Sequence, residues 1–134
     1  MKKGELILEA EKARNLSISP YSKFAVGAAV FTEDGKIFHG TNIENSSYPL
    51  SMCAERNAIY HALIHGYRPI QLVALAVIGE TKEPISPCGA CRQVMSEMLN
   101  PQAQIILANT KGNVKEVTVK DLLPFAFTPN DLHR

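Results

Sequence analysis

The sequence predicts an α/β fold, a three-layer α-β-α sandwich with a central mixed five-stranded sheet and elements in the order α-β-β-α-β-α-β-β. Three observations predict it. Two β-rich runs flank Glu33-Asp34-Gly35, a strong hairpin signal. Two later apolar runs, Leu72 to Ile78 and Ala103 to Asn109, each follow a stretch of helical periodicity. Strands alternating with helices after an initial hairpin call for a mixed sheet between helical layers.

The first element is a helix over Glu5 to Leu16, where Leu6, Ala10, Ala13 and Leu16 fall near helical spacing before Ser17-Ile18-Ser19-Pro20 stops it. Phe24 to Thr32 and Lys36 to Ile43 form an antiparallel pair, because both Asp34 and Gly35 tolerate positive φ at the turn. Ala54 to His65 carries Ala58, Ile59, Ala62 and Leu63 on one helical face, and Gly66 ends it in a left-handed conformation. Leu72 to Ile78 is almost continuously apolar, which marks a strand covered on both faces and hence central. Cys91, Val94, Met95, Met98 and Leu99 follow the stripe of a third helix, closed by Asn100-Pro101. Ala103 to Asn109 is the fourth strand, and Val114 to Val117 a weaker fifth after a Lys111-Gly112 turn. With no repeat, low-complexity tract or long linker, residues 1–134 read as a single domain.

Composition narrows the partner. A formal net charge of +1 with no long run of one sign gives no footprint for duplex nucleic acid or an anionic membrane, so a small molecule is expected. Met1 to Glu11 holds Lys2 and Lys3 but is broken by Glu5, Glu9 and Glu11, so it offers neither a signal-peptide core nor a membrane span. The expected location is cytoplasmic. Three cysteines, an odd count at close spacing, then favour metal binding or catalysis over a disulfide framework.

Those cysteines fall in two clusters, Cys53-Ala54-Glu55 and Pro87-Cys88-Gly89-Ala90-Cys91. Zinc takes four ligands, so three thiolates from Cys53, Cys88 and Cys91 leave one position for water, which distinguishes a catalytic site from a closed structural one. One zinc per chain follows. Glu55, two residues from a ligand, is a candidate to carry protons to and from that water. Both clusters sit at predicted helix starts, where partial positive charge favours thiolates. Three thiolates still leave one net negative charge on the site, and Arg56 is the candidate cation to offset it, the alternative being a solvated arginine on a helix face. Taken alone, Cys88-Gly89-Ala90-Cys91 also suits a redox pair, although such a pair gives no use for Cys53 or Glu55. His61 and His65 have metal-binding spacing but lack the glutamate of a metalloprotease helix, and His65 suits a cap on the last turn.

Four segments together resemble the small, homotetrameric bacterial type of cytidine deaminase. They are Cys53-Ala54-Glu55-Arg56, Pro87-Cys88-Gly89-Ala90-Cys91-Arg92-Gln93, Pro20-Tyr21-Ser22-Lys23-Phe24 with Val26-Gly27-Ala28-Ala29, and Asn42-Ile43-Glu44-Asn45. The resemblance spans nearly the whole chain. It implies zinc-dependent hydrolysis of cytidine and 2′-deoxycytidine to uridine and 2′-deoxyuridine with loss of ammonia, Glu55 acting as base and then acid. It also implies that Asn42 and Glu44 hold the ribose hydroxyls and that Phe24 packs on the nucleoside. The backbone N–H of Ala54 would then bind the ring carbonyl, and the carbonyl of Ser86 would accept from the leaving amine. Tyr48 and Phe127 would contribute to sites shared between neighbours in a homotetramer. Two positions depart from the family pattern: Phe125 stands where a small residue is usual, and Pro49 where glycine is more familiar. Other readings are a zinc-dependent binding or redox module, against which Glu55 speaks, and a deaminase of a cytosine-containing antibiotic, against which Asn42 and Glu44 speak.

Overall fold

The computed structural model describes residues 1–132. Its elements follow the expected order: α1 (Lys3–Arg14), β1 (Val26–Thr32), β2 (Ile37–Thr41), α2 (Ala54–Ile64), β3 (Leu72–Gly79), α3 (Gly89–Met98), β4 (Gln104–Asn109) and β5 (Val114–Val117). A four-residue helix, α4 (Val119–Leu122), follows and was not evident from periodicity. Thr118 and Asp121 cap it reciprocally, a local device that needs no apolar stripe.

The five strands form one sheet in the order β2-β1-β3-β4-β5, with β3 central as its apolar run requires. Only β3 and β4 are parallel, with α3 as their crossover; the other pairings are antiparallel. Side chains alternate across the sheet. Ala29, Ala74, Ala76, Ile78, Ile106 and Ala108 face Leu6 and Ala10 of α1. Ala28, Val30, Leu75, Val77, Ile105 and Leu107 face Ala58, Ile59 and Ala62 of α2 and Cys91 and Met95 of α3. The three layers are therefore α1, the sheet, and α2 with α3.

Two glycines set how closely the helices approach. A Cβ on Gly27 would lie 2.0 Å from Ala10 O and 2.4 Å from Arg14 N, so α1 rests directly on the backbone of β1. A Cβ on Gly40 would lie 2.2 Å from Ala58 N and 2.3 Å from Ala54 O, so the first turns of α2 rest on β2. Gly40 thereby fixes the height above the sheet of the helix that begins after Cys53.

Several boundaries differ from expectation. Leu16 lies beyond α1 and is 69% exposed, because the helix is already ending at Asn15. β1 starts at Val26, whose N–H is taken by Asn42 Oδ1, and β2 stops at Thr41, after which Ile43 bridges to Ile18 and Met52 instead of to β1. At the hairpin only Gly35 has positive φ. A three-residue loop is closed by Thr32 N donating to Lys36 O at 2.9 Å, while Asp34 accepts from Thr32 Oγ1 and Tyr67 Oη. Gly66 ends α2 at φ 97°, as expected. His65 forms its cap, donating from Nδ1 to His61 O at 2.8 Å.

Candidate active site

Cys53 is the N-cap of α2 and Cys88 the N-cap of α3, while Cys91 lies buried in the first turn of α3. Neither cap sulfur bonds the helix backbone, so both are available to a metal while the helix ends supply positive potential. The separations are 3.8 Å for Cys53 Sγ to Cys88 Sγ and 3.5 Å for Cys88 Sγ to Cys91 Sγ, and all three sulfurs lie within 4.8 Å of one another. Tetrahedral zinc with bonds of about 2.3 Å sets its sulfurs about 3.8 Å apart, so the trio fits the ion with a fourth position left over. Among the described residues neither His61 nor His65 joins the group of Cys53, Cys88 and Cys91; the Nδ1 of His61 donates to His39 O at 3.0 Å.

Charge around the sulfurs is arranged to favour a thiolate. Arg56 Nη2 donates to Cys53 Sγ at 3.3 Å. A hydrogen bond from Cys91, with further help from Arg56 and Cys88, holds the Cys53 thiol down at about 5. Donation to Cys53 and burial push the Cys91 thiol up. Arg56 is only partly exposed and turns its guanidinium onto Cys53 Sγ instead of leaving it in solvent.

Glu55 is 4% exposed, and burial pushes its carboxyl up to about 7, with the charge of Cys53 adding to the push. A carboxyl in that range can accept and release a proton near neutral pH.

Cys53, Cys88 and Glu55 open onto one cleft of about 300 Å³, with Cys91 and Arg56 behind them. It is lined by Cys53, Ala54, Glu55, Ser86 and Cys88 on the metal side and by Phe24, Asn42, Glu44 and Tyr48 elsewhere, together with Ser22, Val26, Ser51 and Met52. Most residues singled out from sequence thus meet in one place. Cys91, Arg56 and Phe127 do not line this cleft: the first two lie behind Cys53, and Phe127 is half exposed on the carboxy-terminal segment, with its carbonyl accepting from Gln93 Nε2 at 3.1 Å.

The polar pair Asn42 and Glu44 is already heavily engaged. Asn42 Oδ1 accepts from Ser17 Oγ at 2.6 Å and Val26 N at 2.9 Å, and Nδ2 donates to Phe24 O at 2.7 Å. That fills both acceptor positions of the amide and leaves one N–H. Glu44 Oε1 accepts from the backbone N–H groups of Tyr21 and Ser22, and Oε2 from Ser22 Oγ; the Ser22 hydroxyl contributes most to holding its carboxyl below the usual range. Sequence reasoning passed over Ser22, although it lies in the Pro20 to Phe24 run; only the fold brings it to Glu44.

A family model described as the cytidine and deoxycytidylate deaminase zinc-binding region matches residues 1–107. A cytidine deaminase of Sporosarcina psychrophila is 52% identical over 128 residues, covering 96% of this chain and 93% of its own length. One from Halalkalibacterium halodurans is 47% identical over 133 residues, covering 99% of each chain. The crystal structure of cytidine deaminase from Burkholderia pseudomallei superposes with a TM-score of 0.93 at 53% identity, covering 95% of this chain and all of that one. Three sulfurs spaced for zinc, a buried glutamate beside them and this agreement over nearly the full length have one meaning: the chain belongs to the zinc-binding cytidine and deoxycytidylate deaminase family, in its bacterial cytidine deaminase branch.

Proposed function

We infer that the chain hydrolyses cytidine and 2′-deoxycytidine to uridine and 2′-deoxyuridine with release of ammonia. The observation that carries this is a buried carboxyl, Glu55, lining the same cleft as Cys53 and Cys88 and the polar groups of Asn42 and Glu44. Cys53, Cys88 and Cys91 would hold zinc, which would lower the pKa of a bound water toward neutrality. Glu55 takes a proton from water and passes it to N3 of the ring as C4 is attacked, then carries the second proton to the departing amine. One carboxyl serves as base and then acid, for which a pKa of about 7 is well matched. Arg56 offsets the excess negative charge of three thiolates, a role supported by its 3.3 Å contact with Cys53.

In this reading the backbone N–H of Ala54, in the first turn of α2, donates to the ring carbonyl, and the carbonyl of Ser86 accepts from the leaving amine. Phe24 packs against the nucleoside. Asn42 has one N–H left and Glu44 Oε2 has acceptor capacity left, a donor and an acceptor that together complement a single hydroxyl. Since 2′-deoxycytidine is included among the substrates, that hydroxyl is the 3′-OH.

We further propose that residues 1–134 form one catalytic domain that assembles as a homotetramer. Tyr60 and Ile64, one turn apart on α2 and 38% and 81% exposed, leave an apolar strip that a neighbour would cover. Tyr48 and Phe127, both more than half exposed, then complete sites between subunits. Three thiols kept for a metal suit a reducing compartment, which supports a cytoplasmic enzyme acting in pyrimidine salvage. The test is to incubate the purified protein with cytidine and follow loss of the cytosine absorbance, with cytosine base and a cytidine nucleotide as controls. Conversion of cytidine alone supports the reading; no conversion of the nucleoside overturns it.

A further inference from the structure

The guanidinium of Arg92 bonds three acceptors on two separate segments. Nε donates to Pro87 O at 2.8 Å, Nη2 to Ser86 Oγ at 2.6 Å and Nη1 to Leu122 O at 2.9 Å. Its backbone N–H also bonds Cys88 O at 3.0 Å. The residue therefore reaches back over the first turn of α3 and grips the chain immediately before Cys88. It also ties that chain to the end of α4.

Upstream, Asn109 Nδ2 donates to Thr81 O and Lys82 O and the Ile85 N–H donates to Ala108 O, so Arg92 is the side chain that fastens the stretch from Ser86 to Cys88. Between Gly79 and Cys88 the chain runs without regular structure, and Pro87 has no N–H with which to fasten itself. A planar fork with donors in fixed directions sets the orientation of every group it holds, which a flexible ammonium does not. With Ser86 Oγ held on one side and Pro87 O on the other, the Ser86–Pro87 peptide unit between them, which carries the Ser86 carbonyl, is restrained from both ends.

We propose that Arg92 is a positioning residue for deamination: it aims the main chain at Ser86 into the cleft and holds it in register with the metal-binding helix. This rests on the reading given under Proposed function, in which the Ser86 carbonyl receives the departing amine. An acceptor for that amine matters most once the carbon is tetrahedral, so misaiming it lowers turnover more than substrate binding. A misplacement of about 1 Å costs up to about 100-fold in rate.

The experiment compares wild type with Arg92→Ala and Arg92→Lys, the lysine variant keeping charge and bulk in case the alanine variant folds poorly. Zinc content, kcat and KM for cytidine, and binding of the 2-pyrimidinone riboside, which lacks the exocyclic amine, are measured on each. Hydrogen exchange at residues 85–88 is followed in parallel and needs no substrate. We expect one zinc per chain, kcat lowered about 10–100-fold with KM within about threefold, and riboside binding within about threefold of wild type. Lysine is expected to rescue little, and exchange at residues 85–88 to quicken in both variants. Wild-type kcat in Arg92→Lys, unchanged exchange, or equal losses in riboside binding and turnover would each overturn the proposal. A wild-type protein inactive on cytidine would instead overturn the deaminase reading, and with it the catalytic role of the clamp. The exchange data would still report whether Arg92 orders the segment.

Discussion

Arg56 Nη2 donates to Cys53 Sγ across 3.3 Å, which places a permanent cation against one of three sulfurs that would share a zinc ion. The guanidinium is thus part of the metal's electrostatic environment. Removing it should weaken the site: Arg56→Ala is expected to lower zinc affinity about 10–100-fold or to raise the pH needed for activity, and Arg56→Asp to do worse through repulsion. Metal content after dialysis and a pH–rate profile read the outcome. Unchanged values in both variants would reject the charge-balancing role.

Glu55→Gln preserves shape and leaves the three sulfurs in place while removing the proton carrier. Turnover is expected to fall by about 10²–10⁴ with zinc retained at one per chain. More than a tenth of wild-type activity in this variant would show that another group moves the protons.

In the proposed binding mode, the hydrogen bonds already made by Asn42 and Glu44 leave a single donor and a single acceptor, assigned to the 3′-OH. Accordingly 2′-deoxycytidine should be turned over within about tenfold of cytidine. The 3′-deoxy analogue should lose about 10²-fold or more in kcat/KM, since Asn42 and Glu44 would both lose their partner. Comparable activity on both deoxy substrates would sink the assignment.

At Gly40 a methyl group would collide with backbone atoms of Ala54 and Ala58, not with a side chain that could swing away. Gly40→Ala should therefore destabilise the fold by about 1–3 kcal/mol. Because the displaced helix begins next to Cys53 and carries Glu55, activity should fall along with stability. Thermal unfolding and kcat measured together test this; a variant as stable and active as wild type would mean that α2 rides higher on the sheet than described.

Phe127 lies outside the cleft of its own chain, with its main chain pinned by Gln93. In the proposed tetramer it acts on a neighbour's site, so Phe127→Ala should raise KM or lower kcat without loss of zinc. Light scattering on the wild type provides the companion check. A fully active monomer would end the shared-site model and leave the metal chemistry untouched.

Much of this molecule is legible in its sequence where local rules dominate. Gly66 stops α2 because only its backbone takes a left-handed turn cheaply, and the unbroken apolar run from Leu72 identifies a strand buried on both faces. The cysteine clusters are legible because metal ligation demands particular atoms at particular spacings. What escapes is whatever depends on a partner distant in sequence. The early end of β2 results from Ile43 pairing with Ile18 and Met52, and the start of β1 from the Asn42 amide taking the Val26 N–H. Ser22 and Arg92 were in view as members of motifs, but their tasks follow from Glu44 and Leu122, positions 22 and 30 residues away. Leu16 shows the opposite failure, a periodic residue that the helix ends too soon to use.

Cys53 and Cys88 are 35 residues apart and belong to different helices, with the central strand of the sheet between them in the chain. An ion shared by the two is therefore a stitch as well as a reagent, closing a loop that the unfolded chain would otherwise leave open. The apolar contact of α2 with α3 and the metal site then hold the same two helices together, so stripping the ion should lower the unfolding temperature as well as stop turnover.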